Sequence, residues 1–196
     1  MQRVVILGCS GGGKSTLARA MGARLGLPVV HLDALFWRPN WVEPDGPAFR
    51  AKVAEAHAGD AWISDGNYAG RTFDLRLPRA DTVIFVDQPR RVCMWRIFKR
   101  WWTDRGKRRA DLAAGCYENL DWEFTKWVWT FEAKHRANIL AAAERYGTPI
   151  IMLRSDREIA AFVERLSPDP PPQSGGGGPR SGGGGSSPPS SFPASP

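Results

Sequence analysis

Eight consecutive residues, Gly8-Cys9-Ser10-Gly11-Gly12-Gly13-Lys14-Ser15, fit the pattern G-x-x-x-x-G-K-[ST] without a mismatch. Glycines at these positions let backbone N–H groups converge on phosphate oxygens that side chains would otherwise block. A helix that starts at the end of the loop adds the positive end of its dipole. In such a loop Lys14 reaches the β- and γ-phosphates and the Ser15 hydroxyl binds Mg²⁺. Gly8, Ser10, Gly11, Gly12, Gly13 and Thr16 complete the cradle, so the ligand expected here is ATP with Mg²⁺.

Other residues have types suited to phosphoryl transfer. Asp65 ends the apolar run Ala61–Ser64 and precedes Gly66-Asn67-Tyr68, where a carboxylate can hold Mg²⁺ opposite Ser15. Asp87, at the end of Thr82–Val86, is the rival for that metal role, but it leads through Gln88-Pro89 into a helix. Asp33 follows His31-Leu32 and could orient or deprotonate an acceptor hydroxyl or hydrogen-bond an acceptor base, while His31 alternates to the opposite face and is expected to pack. Arg96 and Arg100 are four residues apart, so both can face one phosphate group and neutralise its charge. Arg71 is placed to join them at the acceptor. Trp37 and Trp41 bracket Arg38-Pro39-Asn40 in a loop whose composition suits an acceptor pocket or a hydrophobic lid over the core. Lys14, Asp33, Arg96 and Arg100 form the expected catalytic set. Ser15 and Asp65 are the metal set, and Asp33, Trp37, Trp41 and Arg71 the acceptor set.

Strand and helix signals alternate along the chain, as in βαβ units on a parallel sheet. Arg3–Leu7 reads as a buried strand and Ser15–Leu25 as an amphipathic helix ended by Gly26 and Pro28. Strands are expected at Val29–Leu32, Ala61–Ser64, Thr82–Val86 and Pro149–Leu153. Helices are expected at Ala48–Ala58, Arg90–Trp102, Asp121–Tyr146 and Asp156–Leu166, the last capped by Asp156 or Ser155. Ligands bind at the carboxyl edge of such a sheet, and that is where the glycines and carboxylates collect.

The net charge of +7 is local: Gln88–Arg109 holds nine basic residues and one acid, leaving the rest of the chain at −1. Arg105, Arg108 and Arg109 lie in a segment read as a mobile basic lid over about 103–120. Six of the nine tryptophans fall between Trp95 and Trp129 and are read chiefly as packing between two helices. Three cysteines with no Cys-x-x-Cys spacing argue against a disulfide framework or a zinc site. Cys9 reads as a tolerated variable position of the phosphate loop, with a redox-sensitive thiol as the lesser alternative. No run approaches membrane-spanning length and no signal peptide is visible, so a cytoplasmic protein without a membrane partner is expected. Residues 1–166 are expected to form one domain, and the Pro/Gly/Ser-rich 167–196 a disordered tail.

The fold class expected is α/β, of the P-loop nucleoside-triphosphate hydrolase or nucleoside-monophosphate-kinase-like kind. It would have about five parallel strands flanked by helices, and a basic helical lid. Over roughly residues 3–166 the chain resembles the adenylate-kinase-like P-loop proteins of the topology-modulation group. The motifs that carry the resemblance are His31-Leu32-Asp33-Ala34-Leu35-Phe36-Trp37, Trp62-Ile63-Ser64-Asp65-Gly66-Asn67-Tyr68 and Asp121-Trp122-Glu123-Phe124. Trp95-Arg96-Ile97-Phe98-Lys99-Arg100 is similar to the paired-arginine helix before the adenylate kinase lid, which implies phosphoryl-group stabilisation. The chain departs from Asp-Gly-Phe-Pro-Arg after Asp65, and its acceptor loop is rich in tryptophan, which argues against adenosine monophosphate as acceptor. Two function classes follow. One is a small kinase passing the ATP γ-phosphoryl group to a nucleotide or small hydroxyl metabolite. The other is an ATP-dependent nucleic-acid-binding regulator, or an ATPase switch, using the basic segment.

Overall fold

The computed structural model describes residues 1–103, 113, 115, 116 and 120–166. The expected lid therefore lies largely outside the described residues, as does the expected tail. Five strands form one parallel sheet: β1 (Arg3–Gly8), β2 (Val29–His31), β3 (Trp62–Asp65), β4 (Thr82–Val86) and β5 (Ile150–Leu153). Their order is β2-β3-β1-β4-β5, which puts β1 at the centre. Residues 4–7 are wholly buried because helices cover both faces.

Strand alternation divides the core. Val5 and Leu7 face a cluster with Phe73, Phe85, Ile97, Val128 and Phe131. Val4 and Ile6 face the opposite cluster, with Leu17, Met21, Ile63, Ile84 and Phe162. The first cluster is roofed by α4 (Ala69–Arg76), α5 (Arg90–Thr103), α6 (Trp122–Phe131) and α7 (Ala137–Glu144). The second is covered by α1 (Lys14–Leu25) and α8 (Asp156–Arg165). A third cluster of Leu32, Phe36, Phe49 and Val53 joins α2 (Leu32–Phe36) to α3 (Gly46–Ala56). Gly22 of α1 sits where an added Cβ would lie 2.5 Å from Val29 Cγ2, so glycine permits the close α1–β2 approach.

Several elements differ from the sequence reading. Strand β2 stops at His31, and Leu32–Phe36 coils into α2 because Leu32 and Phe36 bury together on one helical face. The span 69–76 forms α4, for which the chain offers only a weak amphipathic pattern. The helix expected over 121–146 has a π-helical turn, Glu132–Arg136, between α6 and α7. Ser155, not Asp156, caps α8, accepting from the Glu158 N–H. The tryptophans depart furthest: Trp95, Trp102, Trp122 and Trp129 stand exposed instead of packing between helices. The inward faces of α5 and α6 are filled by smaller or more compact side chains, Cys93, Ile97, Val128 and Phe131.

Candidate active site

The β1–β3 and β1–β4 registers bring Gly8, Asp65 and Val86 to one edge of the sheet. Over that edge lies a cavity of about 1260 Å³. Its wall includes Ser10, Gly11, Gly13, Lys14, Ser15 and Thr16 from the phosphate loop. Asp33, Trp37, Trp41, Asp65, Arg71, Arg96 and Arg100 line it as well. Of the expected phosphate-loop, catalytic, metal and acceptor sets, Gly8 and Gly12 alone are absent from the wall; they lie in the loop's own backbone packing.

The loop is built on close backbone approach. Gly8 has φ +138°, and a Cβ there would lie 2.3 Å from the Val86 carbonyl oxygen. Gly11, at φ +78°, passes equally near the Cys93 carbonyl. Lys14 Nζ donates to the Cys9 carbonyl at 2.9 Å, folding back across its own loop. The Cys9 thiol below is buried, and the Cys93 thiol beside it, together with burial, pushes its pKa well above the usual range. The thiol lies 3.9 Å from the Val128 carbonyl, inside the core cluster, as a packing group does.

The Asp65-Gly66-Asn67-Tyr68 segment reaches three other elements. Asp65 is 5% exposed, with Oδ2 2.8 Å from His31 Nδ1. Its Oδ1 is buried without a hydrogen-bond partner. His31 thus faces Asp65 instead of packing on the far face, because β2 ends there and the β2–β3 register pairs the two residues. The Asn67 side chain accepts from the Gly8 N–H at 3.0 Å and donates to the Gly8 carbonyl at 2.9 Å. The β1–β3 ladder ends with Gly66 N–H donating to Ile6 O, so the Asn67 amide acts as one further rung. Tyr68 takes a left-handed conformation at φ 42°, costly for a bulky residue by about 1–3 kcal/mol. Its hydroxyl donates to Asp33 Oδ1 at 2.7 Å. Burial, aided by the Asp33 carboxylate, pushes the phenol pKa up and keeps it a donor.

Behind this segment lies a wholly buried arginine. Arg76 donates to Ser64 Oγ at 3.0 Å, the Gly66 carbonyl at 3.1 Å, the Asn67 carbonyl at 2.6 Å and Thr72 Oγ1 at 3.1 Å. Burial lowers its pKa to about 9, and Asp65 opposes that shift. Asn67, Tyr68 and Arg76 were missed by sequence reasoning. Asn67 and Tyr68 sit in a motif that departs from the adenylate kinase pattern, and that departure is the available signal.

Along the part of the wall expected to take the acceptor, the Trp37 and Trp41 rings meet edge to face at 5.3 Å. Arg71 stands over the Phe36 ring at 4.9 Å and pairs with Glu43 at 3.1 Å. Arg96 bridges the loop and α8, pairing with Asp156 and donating to the Gly12 carbonyl at 3.4 Å. Asp87 is held at both carboxylate oxygens by Arg136, at 2.8 and 2.7 Å, away from the cavity wall.

No family model matches the chain, and no curated protein does. Solved structures match across most of its length. Shikimate kinase from Acinetobacter baumannii in complex with shikimate superposes with a TM-score of 0.53 at 13% identity, covering 84% of this chain and 89% of that one. Shikimate kinase from Bacteroides thetaiotaomicron gives 0.52 at 21% identity, covering 84% and 95%. Deoxyadenosine kinase from M. mycoides with bound dATP gives 0.45 at 13%, covering 84% and 98%. The chain has the fold of P-loop kinases, a five-stranded parallel sheet flanked by helices. Membership of the topology-modulation group is not shown by these comparisons.

Proposed function

We propose that this chain is a small P-loop kinase that transfers the γ-phosphoryl group of ATP to a small hydroxyl-bearing acceptor or nucleotide. The observation that carries the reading is one cavity lined by the phosphate loop, by Asp33 and Asp65, and by Arg96 and Arg100. The fold shared with the shikimate kinases supports it.

Asp65 fits a role near a cation, because a buried carboxylate oxygen without a partner is costly unless a cation or donor satisfies it. Among the described residues no group of three or more His, Cys, Asp or Glu converges on one point. Magnesium would thus be held by Ser15 and Asp65 and take its remaining oxygens from nucleotide and water, as this ion usually does. Bound there, it would neutralise developing phosphate charge. Asp87, spoken for by Arg136, is the weaker candidate.

Asp33 is the proposed base. The Tyr68 hydroxyl orients this carboxylate on the cavity wall, where it would receive the acceptor proton. The acceptor oxygen forms a bond to the γ-phosphorus as the bond to the β,γ-bridging oxygen breaks; ADP leaves and the proton passes to Asp33. Lys14, Arg96 and Arg100 offset the negative charge of the transferred group. Trp37 and Trp41 would hold the acceptor, with Arg71 released from Glu43 for a charged one. Arg96 and Arg100 lie on the cavity, which favours nucleotide over an extended polyanion as the partner of these two arginines.

The test is ADP release by purified protein with ATP, Mg²⁺ and a panel of nucleosides, mononucleotides and hydroxy acids. Turnover dependent on one acceptor class is expected. ADP release independent of every acceptor would overturn the kinase reading and leave an ATPase or switch.

A further inference from the structure

The exposed tryptophans follow a rule. In α5, Trp95, Lys99 and Trp102 are spaced W-x-x-x-K-x-x-W; in α6, Trp122, Lys126 and Trp129 repeat that spacing. At 3.6 residues per turn, each trio falls within an arc of about 60° on its helix. All six residues are exposed, with Trp95, Trp102, Trp122 and Trp129 at 67, 74, 77 and 51%. Each helix turns its opposite side, Cys93 and Ile97 or Val128 and Phe131, into the same core cluster. The two outward faces therefore point away from one core and lie side by side. The Arg90 guanidinium, 4.2 Å over the Trp129 ring, joins the start of α5 to the end of α6. Phe98, 42% exposed, and Arg91 complete the face of α5, while Arg96 and Arg100 of the same helix turn to the cavity; α6 adds Lys126 and one exposed acid, Glu123.

We propose that this two-helix face is a peripheral docking surface for an anionic lipid bilayer. Large exposed aromatic surface on a folded domain marks an interaction site. The composition selects the partner. Tryptophan settles at the headgroup level of a bilayer, where its ring is apolar and its N–H stays wet. Lysine keeps its stem against apolar surface and its ammonium among lipid phosphates. The tryptophan pair of each helix is separated by about 10 Å along the axis. A bilayer surface is broad enough to meet both ridges, which the Arg90–Trp129 contact ties together. A single-stranded nucleic acid instead needs a groove that tracks its backbone and rings for bases to stack on, whereas these rings project from convex helix faces. Among the described residues no helix is long and apolar enough to cross a membrane. That bears on insertion through a bilayer, not on docking at its surface.

The test uses the full chain and sucrose-loaded vesicles of phosphatidylcholine, with or without about 30 mol % phosphatidylglycerol. Co-sedimentation with the anionic vesicles, a blue shift of tryptophan emission, and weakening by salt are expected. Each lysine contributes about a fivefold factor at such a surface, so Lys99→Ala with Lys126→Ala should weaken partitioning about 25-fold. Trp95→Ser with Trp102→Ser should abolish the blue shift assigned to α5. These side chains are exposed, so an unchanged circular dichroism melt will show that the variants fold. No sedimentation with anionic vesicles at low salt, or equal partitioning of wild type and variants, overturns the proposal. Binding of oligothymidylate without vesicle binding assigns the face to nucleic acid and overturns it too. So does self-association that the tryptophan variants abolish, which assigns the face to a second copy.

Discussion

Replacing Asn67 with alanine tests whether its amide holds the phosphate loop in shape. The side chain makes two hydrogen bonds, at 3.0 and 2.9 Å, to the N–H and carbonyl of the buried Gly8. Removing them leaves two backbone polar groups at the strand end without partners. Each such loss costs about 1–3 kcal/mol, less where cavity water can reach the group, so a total near 2 kcal/mol is expected. Part of the cost falls on ligand binding, because a loop freed from the clamp samples other shapes and nucleotide must select the competent one. A tenfold weaker affinity corresponds to about 1.4 kcal/mol. Asn67→Ala should therefore lower the urea unfolding free energy by about 2 kcal/mol and weaken binding of a fluorescent ATP analogue about tenfold. Asn67→Asp sharpens the test. It keeps an acceptor for the Gly8 N–H but sets a carboxylate against the Gly8 carbonyl. Acidification converts that carboxylate to a carboxyl that can donate, so affinity in this variant alone should recover as pH falls. Wild-type affinity and stability in Asn67→Ala, or a flat pH response in Asn67→Asp, would refute the clamp.

Other perturbations separate binding from folding. Lys14→Ala should reduce nucleotide affinity or turnover by at least about 100-fold while the thermal midpoint stays put; wild-type activity would sink the phosphate-loop assignment. Gly22→Ala should destabilise the fold although alanine favours helix by about 1 kcal/mol, because its Cβ would meet Val29 Cγ2 at 2.5 Å; a raised midpoint in a thermal melt would contradict this. His57 is buried, donates from Nδ1 to the Val53 carbonyl at 2.7 Å, and has its pKa lowered to about 4 chiefly by burial, with Arg76 and Arg79 adding repulsion. An unfolded imidazole titrates near 6.5, so the unfolded state binds more protons below that pH. Stability should be full above pH 6.5 and fall by about 2–3 kcal/mol as pH drops towards 4. Urea midpoints of His57→Gln should lack that slope.

What could be read from the chain was set by local rules. Gly8–Ser15 carries its mechanism in its own spacing, and the strand and helix on either side follow from hydrophobic period and from Gly26 and Pro28. Asp33, Asp65, Trp37, Trp41, Arg71, Arg96 and Arg100 were singled out by position after a strand or on a helix face, and all reach the cavity. Interactions at long sequence separation were not legible. Arg76 lies in Leu75-Arg76-Leu77-Pro78-Arg79, a run that resembles an ordinary surface turn, and only the fold brings four oxygens to its guanidinium. His31 was assigned by strand alternation, which ceased to apply where β2 ended. The tryptophans misled because aromatic helix faces usually pack, whereas here the core had already been filled from the other side of each helix.

The segment from Asp65 to Tyr68 places a different requirement on length than on composition. Its side chains answer, in order, to His31, Gly8 and Asp33, with Gly66 threaded against Leu32 between them. One residue added or removed within these four would misdirect each later side chain at once, whatever its identity. Point changes there disturb one link at a time. Insertions and deletions should consequently be tolerated far less than substitutions, and a library of length variants would find this stretch closed while the neighbouring surface turns stay open.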